Sequence, residues 1–343
     1  MIVVIIIVAT ASIWLFFTYK PKKQKKTDSL YADALNAMLR ADKNKAIKLL
    51  RDVVKQDSDH VDAYLQLGNL LREHDPQRSI KIHQMLTVRP NLSKAVKIEI
   101  YKSLAIDYEM IDDLEKAKNE AEQILSIDKQ SKWALSFLLC IGEKREEWDY
   151  AEDKARKLQK ISGASDLSIL SKYIVNKSID RINNNAFDEA ETLLNKAINQ
   201  APDYGLPYKY LGDIRMKNRD LVKAIEYWEK FMDLSPEGSN LVFDNIESAL
   251  FDLGRYSEVE NFYRRVLDNN PMDLNAGLRL ANVLSEKGED QAAISLVDTL
   301  IEHGNSTIST LLMRLKLSLS IKTPSELALQ IDNILGKLDN INE

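Results

Sequence analysis

Three stretches of this sequence run to a proline at nearly equal intervals. Residues 188–202 read DEAETLLNKAINQAP, residues 221–236 read LVKAIEYWEKFMDLSP, and residues 257–271 read SEVENFYRRVLDNNP. The three prolines are 34 and 35 residues apart. A fixed period of this size marks one supersecondary unit that cannot bury its apolar face alone and stacks on copies of itself. Upstream of each stretch lies a second helical segment with small or apolar residues at matching offsets, as in YKYLGDIRMKNRD over 208–220. No segment alternates with the period of a sheet strand. The expected fold is all-α, an array of antiparallel helix pairs.

The period resembles the tetratricopeptide repeat, a superhelical solenoid of two-helix units. In that pattern a small residue in the first helix (Gly68, Ala105, Gly212, Ala281) and another early in the second (Ala46, Ala117, Ala151, Ala190, Ala224, Ala293) let the pair approach closely. Large residues (Tyr64, Tyr101, Tyr208, Trp228, Tyr263) fill the gaps between. In this register about nine pairs start near Thr27, Val61, Ile98, Lys132, Ser171, Gly205, Asn240, Leu274 and Ile308. The second is one residue short around 74–76. SGASD over 162–166 is the best break, giving repeats 1–4 over 27–165 and repeats 5–9 over 166–343, the last a polar-ended cap.

The first 19 residues carry no charged side chain. As a helix they reach about 28 Å, enough for a bilayer core. Trp14 and Tyr19 sit toward one end, and Lys20, Lys22, Lys23, Lys25 and Lys26 follow at once. A cleaved leader needs its charge before the apolar run; here the charge comes after. The reading is a transmembrane helix over 1–19 and a basic linker over 20–26, with the repeats on the cytoplasmic side of an inner membrane. Beyond residue 26 there are 42 basic against 52 acidic side chains. That balance argues against nucleic-acid binding, which needs phosphate neutralisation.

Chemistry is sparse. No phosphate-binding glycine loop, zinc-protease or nucleophile-elbow motif is present, so the expectation is a non-enzyme without a cofactor. The single cysteine, Cys140, rules out an intrachain disulfide. His83, in SIKIHQMLTVRP over 79–90, occupies the position that holds Leu50, Leu194, Trp228 or Tyr263 elsewhere. It reads as a packed histidine with one satisfied ring nitrogen, with partner binding or pH sensing as the competing role.

One stretch is more specific than the generic repeat: YLQLGNLLREHDPQRSIKIHQMLTVRPNL over 64–92, followed by LAIDYEMIDDLEKAK over 104–118. It is similar to the lipopolysaccharide assembly protein B family. The matching residues are Leu67, Gly68, Asn69, Leu70, Arg72, Ile80, Ile82, His83, Gln84, Arg89, Pro90, Leu92, Asp107, Tyr108 and Ala117. The resemblance implies an adaptor on the cytoplasmic face of the inner membrane. It would couple a membrane ATP-dependent metalloprotease to the deacetylase that commits carbon to lipid A. The family also carries a rubredoxin-like module with two C-x-x-C pairs; a chain with one cysteine has no such pairs, so metal binding does not carry over. The alternative is a membrane-tethered scaffold for another envelope assembly or secretion complex.

Partner contacts are expected on the first helix of each pair. The candidates are Asn69, Arg72, Lys209, Asp213, Phe251, Arg279 and Asn282, with His83 added from the specific stretch. Arg72→Ala is expected to leave the fold intact and weaken partner binding.

Overall fold

The computed structural model describes residues 27–319 and 321–342. The expected transmembrane helix and basic linker lie outside them. Among the described residues no helix is long and apolar enough to cross a membrane. Those residues form α-helices and one 3-10 segment, with no strand, so the all-α expectation holds.

The chain divides into two compact units, Met1–Ser165 and Asp166–Glu343. In the first, the pairs are α1 (Thr27–Leu39) with α2 (Lys43–Gln56), α3 (Val61–Leu71) with α4 (Pro76–Thr87), α5 (Lys94–Met110) with α6 (Leu114–Ile127), and α7 (Lys132–Lys144) with α8 (Trp148–Ser162). In the second they are α9 (Leu167–Asn183) with α10 (Phe187–Gln200) and α11 (Leu206–Lys217) with α12 (Leu221–Leu234). The 3-10 segment Pro236–Val242 comes next. Then follow α13 (Phe243–Asp252) with α14 (Tyr256–Asn269), α15 (Leu274–Glu286) with α16 (Asp290–Glu302), and α17 (Ile308–Ser318) with α18 (Pro324–Asn342). Within each unit a helix packs on its sequence neighbours.

Two local devices set the pairs. Asp42, Asp75, Asp113, Asp220 and Asp273 each accept a backbone N–H from the first turn of the helix they precede, removing one unpaired donor. The reversal inside a pair passes through one residue in the left-handed region: Ala41, Asp112, Glu146, Asn185, Arg219, Gly254 or Gly288. Five of these seven are not glycine, so the position leaves little trace in the sequence. The second pair, one residue shorter, turns at Asp75 without such a residue.

Helices α5 and α9 each run 17 residues and begin about a turn before the expected Ile98 and Ser171. Ser93 and Asp166 cap them there and override the repeat register. In contrast, α13 has only 10 residues, because Pro236 opens a 3-10 turn where its first turn would lie.

The small residues sit where close approach demands them. Ala46, Ala117, Ala151, Ala190, Ala224 and Ala293 are fully buried. A Cβ on Gly68 would lie 2.3 Å from His83 Nε2, and one on Gly212 2.4 Å from Trp228 Nε1. The cores form around them: Leu30, Leu50, Val53 and Leu67 in the first pairs, Ile100, Leu104 and Tyr108 further on, and Trp228, Phe231, Phe243 and Tyr263 in the second unit.

Candidate functional site

In the first unit, one buried polar cluster joins α3, α4 and α5. Asp107 is fully buried and its carboxylate collects three neighbours. Arg72 donates through Nε to Oδ1, and Ser79 Oγ lies 3.0 Å from the same oxygen. His83 Nδ1 is 2.6 Å from Oδ2. Arg72 also donates through Nη2 to Asn69 Oδ1 at 2.7 Å and to the Ser103 carbonyl at 3.3 Å. Beside the cluster Gln84 donates to the Tyr108 hydroxyl at 2.7 Å.

His83 is fully buried, and both ring nitrogens are engaged rather than one. Nε2 lies 3.2 Å from the Leu65 carbonyl oxygen. Trp228 supplies the key to this arrangement. Its Nε1 donates to the carbonyl of Lys209, three residues before Gly212, at 3.2 Å; Leu65 is likewise three residues before Gly68. The two rings occupy one slot beneath a first-helix glycine. Nε2 of His83 therefore sits where an N–H donor sits in the equivalent pair, and Nδ1 faces a carboxylate. No surface of His83 is left for a partner, so the expected partner-contact role is corrected to a core role.

Ser79, His83 and Asp107 invite comparison with a hydrolytic triad, and the geometry rejects it. A catalytic base faces its carboxylate with one ring nitrogen and its serine with the other. Here Ser79 Oγ lies nearest the nitrogen that faces Asp107, at 3.5 Å, and Ser79 is fully buried.

Arg72 also needs correction. Its side chain is only 15% exposed and is paired with a fully buried carboxylate. Removing it strands Asp107, so Arg72→Ala is expected to destabilise the first unit rather than leave its stability unchanged. Asn69, half-buried, holds the guanidinium from the helix turn before it.

In the second unit Lys209 and Asp213 form an ion pair at 2.8 Å. Asp213 also accepts from Trp228 Nε1 at 3.0 Å and from Asn245 Nδ2 at 3.4 Å. Further along, Arg279 bridges Asp244 at 2.6 Å and Glu247 at 3.3 Å. Glu247 accepts from the Tyr263 hydroxyl at 2.6 Å. Burial, and then that bond, push the Tyr263 hydroxyl pKa far up, so the phenol stays a proton donor. Asn282 accepts from Lys316 at 2.6 Å.

Arg279, Asn282, Glu247, Asn275, Leu278 and Met313 line one groove of about 360 Å³. Every one of them comes from the first helix of a pair (α13, α15 or α17). Phe251, also on α13, stands apart from that groove and packs on exposed Tyr256 at 5.5 Å between ring centroids. Sequence reasoning missed Glu247 and Asn275; their signal is a 35-residue offset, from Gly212 to Glu247 and from Asn240 to Asn275.

The chain aligns with lipopolysaccharide assembly protein B of Escherichia coli (strain K12) at 25% identity over 264 residues, 77% of this chain and 68% of that protein. The Haemophilus influenzae (strain ATCC 51907 / DSM 11121 / KW20 / Rd) protein of that name aligns at 24% identity over 275 residues, with the same shares. The chain is similar to lipopolysaccharide assembly protein B. That likeness is the one the stretch around His83 led one to expect. No family model matches it. Among solved structures, a tetratricopeptide repeat protein from Parabacteroides merdae has a TM-score of 0.38 and 15% identity, covering 85% of this chain and 98% of that one. The MamA protein has a TM-score of 0.38 and 20% identity, covering 51% and 91%.

Proposed function

We propose that this chain is a non-enzymatic adaptor that regulates lipopolysaccharide assembly by holding protein partners on its repeat array. The observation that carries the reading is the alignment over 77% of the chain with proteins named for that process. The specific form of the proposal is a membrane-tethered adaptor. It brings the deacetylase that commits carbon to lipid A to a membrane ATP-dependent protease. An anchor over 1–19 confines the array to the plane of the protease and raises effective concentration without any new contact.

The partner face is assigned to the first helices. Arg279 and Asn282 offer a cationic and an amide group at the groove of the second unit, and arginine is enriched where interfaces concentrate their energy. Lys209 and Asp213 continue the same series on α11. In the first unit, Asn69 and the 15% exposed edge of Arg72 are the equivalent groups, locked from below by Asp107.

The test is depletion of the protein in its host, with lipopolysaccharide content and partner co-purification read together. A rise in lipopolysaccharide per cell, with loss of the deacetylase from protease-containing complexes, is expected. Unchanged lipopolysaccharide content would refute the assignment and favour a scaffold for another envelope complex.

A further inference from the structure

The second unit carries a cleft on the side opposite to the groove, between the second helices of two successive pairs. It has two lobes, of about 440 and 230 Å³, that share Glu229, Phe262 and Arg265. Between those two second helices lies an irregular first helix. The first helix, α13, is 10 residues long and its opening turn is the 3-10 segment Pro236–Val242.

The floor of the cleft is apolar, and the rim is acidic. Phe262 and Val266 are buried, with Ile246 beneath the smaller lobe. Arg265 straps the middle by an ion pair to Glu229 at 2.7 Å, and Arg255 is held by Glu258. Both arginines on the rim are thereby neutralised. Glu226 and Asp233 are exposed and form no ion pair among the described residues. The whole unit adds to this bias: from residue 166 onward there are 19 basic and 28 acidic side chains.

We propose that this cleft is a second docking site, one that takes a peptide segment in which lysines or arginines alternate with large apolar side chains. The apolar side chains would enter the lobes over Phe262 and Val266. The cations would meet Glu226 and Asp233 at the rim, where complementary charge sets orientation and encounter rate. The proposal does not rest on the adaptor reading, because it uses different helices and a different face.

The test is fluorescence anisotropy of the full-length protein with a labelled short peptide of alternating lysine and leucine. Two control peptides replace lysine by glutamate or leucine by serine. Saturable binding of the Lys/Leu peptide is expected, weakened roughly tenfold or more by the double variant Glu226→Lys with Asp233→Lys. Asp244→Lys, on the groove side, is expected to change affinity by less than about twofold, since it lies outside the cleft. Equal binding of the Lys/Ser peptide would reduce the effect to diffuse attraction and overturn the proposal. Unchanged affinity in the double variant, or loss of binding in Asp244→Lys, would overturn it as well. The two control peptides decide the matter on the unaltered chain, even if the double variant folds poorly.

Discussion

Replacing Asp107 by alanine removes the one acceptor on which Arg72, Ser79 and His83 converge. The carboxylate is fully buried, so no water stands ready to take its place. Breaking a buried charge pair by removing one partner costs roughly 3–5 kcal/mol, because the other charge stays behind unpaired. Arg72 is 15% exposed and can swing partly into water, which lowers the cost; His83 is sealed in and cannot. About 3 kcal/mol is the expected result, a large share of the roughly 5–15 kcal/mol that holds a domain folded.

The two units need not unfold together, so a single melting temperature is the wrong readout. Amide hydrogen exchange resolves the effect by segment. Protection in α3, α4 and α5 should fall on the order of a hundredfold, since about 1.4 kcal/mol corresponds to a factor of ten. Helices α15 and α16 should exchange as before. The double variant Asp107→Ala with Arg72→Ala should cost about 2 kcal/mol less than the sum of the single changes, because the second removal no longer strands a charge. A cost for Asp107→Ala below about 1 kcal/mol, or additive single effects, would refute the reading of this cluster as one unit.

Three further outcomes follow from the same geometry. Gly212→Leu should destabilise the second unit by about 1–3 kcal/mol or more, because even a Cβ there would meet Trp228 at 2.4 Å; loss of exchange protection confined to α11 and α12 checks it. Burial raises the Glu120 carboxyl above its ordinary value of 4.5. Its ionised form therefore weakens the fold at neutral pH and is harmless at acid pH. Glu120→Gln should stabilise the first unit at pH 7, and the gain should fade as pH falls through the raised folded value and be gone below the unfolded one, in denaturant titrations run at several pH values. Arg279→Ala should cost no more than about 1 kcal/mol, since its ion pairs are about one-third exposed and screened, yet should lower partner retention in co-purification; full retention would remove Arg279 from the partner face.

Much of the fold was legible because the repeat writes itself in small residues. The alanines at 46, 117, 151, 190, 224 and 293 are fully buried, and the same crossing takes Ser79 and Val259 in two other pairs. The boundaries that went astray at Ile98 and Ser171 did so because Ser93 and Asp166 form local caps, which a 34-residue register does not encode. The 3-10 turn before α13 was hidden for the same reason.

The site was less legible. Arg72 and Asp107 are 35 residues apart, and only the stacking of α3 on α5 brings them together. A charged residue on a predicted helix reads as solvated until its neighbour is known, and so Arg72 was expected at the surface. His83 was rightly seen as a packing residue, but its second bond could be read only after Trp228 showed what the slot requires. Arg279 and Asn282, singled out as first-helix positions, line a groove built from three first helices.

The central claim is control of lipid A synthesis through an adaptor. The most direct measurement is the half-life of the lipid A deacetylase in the native host, with and without this protein. A longer half-life on depletion is the predicted result. An unchanged half-life would contradict the account and leave a repeat scaffold that serves some other envelope machine.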